Sequence, residues 1–499
     1  MRREKYVNVL LVFLILVVLN FISSRLFVRA DLSSGKLYTL SRSSKEAVRN
    51  LDDLLIIKVF FSKKLPPNLL PLREQLSDLL EEYRAASRGK VRVEFIDPQK
   101  DKETESMVMR LGIPPVQMNV LARNKLEVVK GYLGVALFYG DKNEIIPVLN
   151  RADNIEYELT SRILKLVEGG ERKVGFVLSG DDHSFDEDYS EVRDEMSKQY
   201  QVVEVKDSVP LDLDLLVVAG VSKLDEAMKK EIDSYIMKGG RVIFLADGIE
   251  VGENLQAHPA PREPLKFLES YGVRVKRDLV MDVSNEIAPF SSGYIRFFVP
   301  YPCWVKVRKE NLSRTNPIVR DLSSPVFPWP SSLEFVGDSS LSVDTLVMTT
   351  HRSWTQEGYI TLNPEMLPKP KPGGTEKRVL AVLLKGNFKS AFSDSTSEDT
   401  LLSPETAILV VGNSKFLEDG FVRNYEENLA FFMNAVDYLG FGEKLISIRS
   451  KLAVERPIKP VSDTAKTLFK LFNTFGMAVV VVVFGLVRYY IRRREKEAF

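Results

Sequence analysis

The sequence predicts an α/β protein in which two transmembrane anchor helices flank an exported folded middle. Three observations predict it: an apolar run near each end, strands alternating with helices between them, and the composition of an ordinary globular protein. The first run is Val7–Ile22 (VNVLLVFLILVVLNFI), extended to Leu26 and Phe27 if Arg25 snorkels outward. The second is Phe475–Val487 (FGMAVVVVVFGLV), stretching to Leu471–Ile491 with its flanking aromatics. A helix needs about 20 mostly apolar residues to cross the hydrocarbon core. Arg2, Arg3 and Lys5 precede the first run, and Arg492, Arg493, Arg494 and Lys496 follow the second. The positive-inside rule then places both termini in the cytoplasm and the middle on the other side, against the opposing pull of Arg25 and Arg29. The first run exceeds a secretory h-region and Val28-Arg29-Ala30 is a poor cleavage site, so an uncleaved anchor is expected.

A net charge of +1 provides no field for nucleic acid or anionic lipid. With 44% hydrophobic and 27% charged residues, the middle reads as folded protein with room for two to four domains. The single cysteine, Cys303, excludes an intrachain disulfide. Without a histidine close in sequence it reads as a small buried hydrophobe.

After the polar stretch Asp31–Ser41, Ser43–Leu51 reads as a helix and Leu54–Phe61 (LLIIKVFF) as a buried strand. Pro71–Ser87 places Leu72, Leu76, Leu79, Leu80 and Tyr83 at helical spacing. Val91–Ile96 is a strand, Lys102–Leu111 a helix closed by Gly112, and Val116–Leu121 and Gly131–Tyr139 two further strands. The order β-α-β-α-β-β is that of a thioredoxin-like domain over 31–150, following the first helix at 1–30. Its redox site is missing, because Ser62–Asn68 (SKKLPPN) lacks cysteine. Ile155–Val167 is an amphipathic connector within 151–172, with Leu159, Ile163 and Leu166 on one face.

A second α/β unit over 173–288 alternates strands (Val174–Leu178, Val202–Val205, Leu213–Ala219, Val242–Ala246) with helices (Glu187–Tyr200, Asp225–Lys238), which predicts a mostly parallel sheet. Pro264–Tyr271 and Val273–Val275 continue it. Residues 289–375 are proline-rich and predict a β-rich insertion. Arg378–Leu384, Ala407–Val411 and Glu426–Leu439 predict a return to the parallel sheet over 376–455, before a linker, anchor and basic tail over 456–499.

Chemistry is sparse. Gly35-Lys36-Leu37 and Gly89-Lys90-Val91 lack a P-loop's Ser or Thr and its glycine spacing, so ATP hydrolysis by this chain is not expected. Gly220-Val221-Ser222 and Gly412-Asn413-Ser414 follow strands as a nucleophile elbow does, but each lacks the second glycine. The candidate ligand or metal loop is Gly180 with Asp181, Asp182 and His183, followed by Asp186, Glu187 and Asp188, outside the carboxyl end of a parallel strand. Its spacing matches neither an EF-hand nor a zinc set, and its acids would also favour the start of the next helix. No cofactor and no resident metal are expected. His258 and His351 are isolated. Gly476 and Gly485, with Ala478, offer small residues for helix packing in the second anchor.

Several segments together resemble a known family: Asp31-Leu32-Ser33, Lys36–Ser41, Val59–Pro66, Phe95–Pro98, Gly131-Tyr132 with Gly134, Ile145–Pro147, Glu156–Thr160, Val174–Phe176, Gly239–Arg241 and Asn428–Leu439. In this order, and with the paired terminal runs, the chain resembles the GldG-like auxiliary component of gliding-motility-associated ABC transporters. The resemblance implies an ABC-2-type permease and a separate cytoplasmic ABC ATPase as partners, with the lipid bilayer. It implies a two-pass protein of the bacterial inner membrane with a periplasmic or extracellular ectodomain. It further implies that the second unit is similar to class I glutamine-amidotransferase (flavodoxin-like) folds, in a domain type shared with intraflagellar-transport proteins, without their catalytic triad. The nucleophilic cysteine of such folds is absent after Leu213–Ala219. Relatives often show Gly-His where this chain has Gly180-Asp181-Asp182-His183. The expected function is a non-catalytic transporter subunit; the alternatives are an envelope hydrolase using the Asp181–His183 loop and a stand-alone ligand- or wall-binding anchor.

Overall fold

The structure is a computed structural model, and it describes residue 14 and residues 39–63, 65–122, 125–152, 154–168, 172–180, 184–252, 256–292, 295–393, 402–441 and 462–497. One compact unit spans Met1–Ala453 and a second Val454–Phe499.

The chain first caps a short helix, Arg42–Arg49, with Ser41, whose hydroxyl accepts from the Ser44 backbone N–H. Strand β1 (Leu55–Phe61), rich in β-branched and aromatic residues, leads into the helix Leu70–Ala86, strand β2 (Val91–Ile96) and the helix Lys102–Arg110. Next come β3 (Val116–Ala122), β4 (Lys125–Gly131), β5 (Leu133–Tyr139) and β6 (Lys142–Ile146). The sheet order is β2-β1-β5-β6, with β1 and β2 parallel and β5 and β6 antiparallel additions. Val116–Leu121, expected as a strand of this sheet, pairs only with β4, in a separate two-stranded ribbon. The fourth place goes to β6. It pairs on one side only, and Lys142 and Asn143 are exposed, as suits an edge strand.

The helix Ile155–Glu168 joins this sheet to the larger one. Leu159, Ile163 and Leu166 are buried in the core of the small sheet. Glu156 Oε1 accepts from the Ser41 N–H and the Ser44 hydroxyl, both at 2.6 Å. One residue on, the Tyr157 hydroxyl lies 2.6 Å from Gln199 Oε1 and 2.8 Å from Asp437 Oδ2. Its single proton serves two acceptors, and Tyr200 donates to the other oxygen of Asp437.

The larger sheet is mixed. Strands β7 (Lys173–Leu178), β8 (Gln201–Glu204), β9 (Leu215–Ala219) and β10 (Val242–Leu245) run parallel with the strand Thr406–Val411, in the order β8-β7-β9-β10-Thr406–Val411. Val379–Gly386 adds antiparallel, followed by Leu333–Phe335, Ser342–Met348 and Val273–Val275. The parallel strands read as unbroken apolar runs because both faces are covered. On one face Val217, Ile243, Leu409 and Val411 pack against Phe431, Phe432 and Val436 of the helix Glu426–Phe441. On the other, Val218, Phe244, Ile408 and Val410 meet Ile232 and Ile236 of the helix Glu226–Met237 and Leu265 and Leu268 of Arg262–Glu269. The proline-rich region is β-rich, with Asn285–Ser292, Ile295–Lys306 and Val326–Pro328 in one antiparallel sheet. Cys303 is fully buried there, and burial pushes its thiol up to about 12.

The predicted fold class is corrected at the ends. Among the described residues no helix is long and apolar enough to cross a membrane, which overturns the two transmembrane anchors and the two-pass inner-membrane location drawn from them. The architecture is instead a mixed α/β protein with several sheets. In the helix Asp463–Glu497, Lys466, Lys470 and Asn473 occupy the first turns and Arg488 interrupts the last. The uncharged stretch Leu471–Val487 between Lys470 and Arg488 rises about 26 Å, against about 30 Å of hydrocarbon core. The first run, Val7–Ile22, lies outside the described residues apart from Leu14.

Two stability effects are expected in denaturant unfolding. Phe244→Ala, at a fully buried position of β10, should cost about 3–5 kcal/mol. Tyr157→Phe should cost about 1–3 kcal/mol, because a buried carboxylate and amide lose their shared donor. A Tyr157→Phe protein as stable as the native chain would show that this junction holds nothing together.

Candidate functional site

In the order β8-β7-β9-β10, the chain leaves β7 toward one edge of the sheet and then crosses back to β9 and the other edge. Such a switch point opens a crevice outside the carboxyl ends of the strands. The segments after β7, β9, β10 and Thr406–Val411 converge on a crevice of about 60 Å³. Ligand pockets for drug-sized molecules run from about 300 Å³ upward, so this one admits a single small group.

Gly220 ends β9 in the left-handed region at φ 78°, and a Cβ there would meet the Ser179 carbonyl at 3.0 Å. The turn that follows carries Ser222, whose hydroxyl donates to Glu250 Oε1 at 3.3 Å. Opposite, Ser414 donates its backbone N–H to Asp247 Oδ1 at 2.8 Å. Both serine turns noted in the sequence therefore reach the same crevice. The partner of Ser222 is a carboxylate, and no histidine stands among the described residues that line the crevice. Desolvation pushes the Asp247 carboxyl above the usual carboxylate range, against the hydrogen bond from Ser414. Burial likewise raises the Tyr189 phenol, helped by the charges of Glu418 and Asp247.

Asp181, Asp182 and His183 lie outside the described residues. The acids that follow serve local structure. Asp188 Oδ2 accepts from the Ser184 N–H at 2.8 Å, and Asp186 pairs with Arg193. They do not cap the next helix, Ser190–Ser197; a distant carboxylate does. Asp419 Oδ1 accepts from the Glu191 N–H at 3.0 Å, while the Ser190 hydroxyl donates to Oδ2. No local sequence signal announces a cap supplied from 228 residues away. Among the described residues no cluster of three or more His, Cys, Asp or Glu could hold a metal. Gly476 and Gly485 lie on the helix Asp463–Glu497, where a Cβ at Gly485 would meet no atom within 4 Å.

Asp247 generates a pH prediction. Its folded pKa lies above the unfolded value of about 3.9, so the folded state holds the proton to higher pH. Its contribution is most favourable below the unfolded pKa and is lost as pH rises through the folded one. In Asp247→Asn that loss disappears, while a side-chain oxygen still accepts from Ser414. Denaturant unfolding at a series of pH values from 4 to 7 should show the variant gaining stability relative to the native chain. A difference independent of pH would mean that the carboxyl titrates normally.

An uncharacterized protein of Borreliella burgdorferi is 24% identical over 493 residues, covering 93% of this chain and 94% of its own. Among solved structures, the mmIFT52 N-terminal domain is 15% identical, with a TM-score of 0.35 over 54% of this chain and 98% of that one. A cold-adapted β-galactosidase from Rahnella sp. R3 is 10% identical, with a TM-score of 0.26 over 81% of this chain and 49% of that one. A domain family of unknown function matches residues 34–137, which contain β1 to β5. The larger sheet and its crevice fall within residues 171–437, where the match is to the auxiliary-component family described as "ABC-type uncharacterized transport system"; that match spans more than half of the chain, and the chain belongs to this family.

Proposed function

We propose that the chain is a non-catalytic auxiliary subunit working with an ABC-2-type permease and a separate cytoplasmic ABC ATPase. The observation that carries this reading is the family match over 171–437, which coincides with the doubly covered sheet and its crevice. Transport by an ABC system needs a nucleotide site, and the Gly-Lys pairs of this sequence have no P-loop spacing, so a separate ATPase supplies the energy. A binding subunit acts through its surfaces and loops, presented here by a rigid sheet.

The reading is tested by purifying the tagged chain from its own cells after cross-linking and identifying its partners by mass spectrometry. A permease and an ATPase of the ABC class should be enriched together; recovery of neither would favour a stand-alone binding protein. Asp182→Asn combined with His183→Ala should preserve that co-purification and the associated transport. Transport lost in a folded, partner-bound double variant would instead favour the hydrolase alternative.

A further inference from the structure

We propose that the outer face of the hairpin formed by Asn285–Ser292 and Ile295–Lys306 docks on an anionic lipid surface. The inference does not rest on the transport reading. Ile287 lies opposite Pro300, Pro289 opposite Phe298 and Ser291 opposite Arg296. Directly opposed residues share a face, as do residues two apart on one strand, so these six form one side of the hairpin. All six are exposed, Phe298 by 64% and Ile287 by 56%. The other side is committed. Ala288, Tyr301 and Cys303 are buried in one core with Leu279 and Met281, and Phe290 meets the Tyr301 ring edge-on at 5.0 Å. The hairpin therefore cannot turn its outer apolar residues inward.

Charge and area decide what covers this face. Between Glu286 and Lys306 the only charged residue is Arg296. Its guanidinium stands 5.6 Å from the Phe298 ring, and no ion pair joins it to a carboxylate among the described residues. A cation beside aromatic and aliphatic groups, with no acid, matches a partner that is apolar within and anionic at its surface, as a bilayer is. A second copy matches poorly: a two-fold contact would bring Arg296 of each copy to a face without a carboxylate. Four partly exposed apolar side chains present on the order of 300 Å², whereas a stable protein interface takes about 800 Å² from each partner. Lipid makes no such demand, because each apolar side chain enters the interfacial layer independently. The chain's net charge of +1 exerts no long-range pull, so the attraction is local to this face.

The test uses the full 499-residue chain with an environment-sensitive fluorophore on Ser291→Cys, or on Ser234→Cys as an exposed control on the helix Glu226–Met237. The native cysteine is buried and leaves the label specific. A local label reads this face alone, so adsorption through the apolar terminal runs does not enter the result. Vesicles of phosphatidylglycerol with phosphatidylcholine should shift the label at 291 to the blue, and phosphatidylcholine alone should do so more weakly. The label at 234 should not respond. Phe298→Ser with Ile287→Thr should weaken partition about tenfold or more, with an unchanged unfolding midpoint because both side chains are exposed. Arg296→Gln should weaken binding to the anionic vesicles about fivefold. A shift at 291 that grows with protein concentration in the absence of lipid would assign the face to a second copy and overturn the proposal. So would no shift on anionic vesicles, equal partition on both lipids, an equal shift at 234, or unchanged partition in the double variant.

Discussion

The helix Ile155–Glu168 is the constraint on which the arrangement of both sheets rests. Adjacent residues face opposite neighbours: Glu156 binds the start of the first helix, and Tyr157 reaches the Gln199 and Asp437 side chains of the larger sheet's layer. Its apolar stripe belongs to the small-sheet core. Buried hydrogen bonds to ionisable groups are directional and expensive to leave unmade, so this helix has one favourable orientation. The small sheet inherits its placement from that orientation.

Within the larger sheet, burial of both faces confines chemistry to the strand ends. No polar group of β9 or β10 can point into the covering layers without a partner, and every residue of both strands is apolar and buried. Variation is left to the turns after the strands. There the chain places glycines, serines and lysines around one small opening, with the two acids that line it already hydrogen-bonded.

Much of this was legible in the sequence. Unbroken apolar runs such as LLVVA at 215–219 and AILVV at 407–411 identified parallel strands, and Asp225 identified a helix start that it does cap, accepting from the Met228 N–H. The failures have physical causes. Val116–Leu121 has strand composition, but pairing partners are a tertiary matter, and it joined a ribbon instead of the sheet. The expected helix from Glu187 begins only at Ser190, because Asp188 closes a turn with Ser184 first. The apolar terminal runs suggested membrane anchors through their length and flanking basic residues, while in the second run Lys470 and Arg488 limit the length that counts. For the crevice, both serine turns were visible, yet their convergence on one opening depends on strand order, which local patterns do not encode.

The pairing of Val242–Leu245 with Thr406–Val411 has a consequence for biogenesis. These neighbours are separated by about 160 residues, so closing that loop is entropically unfavourable until much of the intervening chain has organised. On the ribosome, the apolar edge of Val242–Leu245 emerges long before its partner is synthesised. Until then it is an unpaired strand of the kind that templates aggregation. The nascent protein is most vulnerable across this interval, and a chaperone that shields exposed strand edges would matter most there.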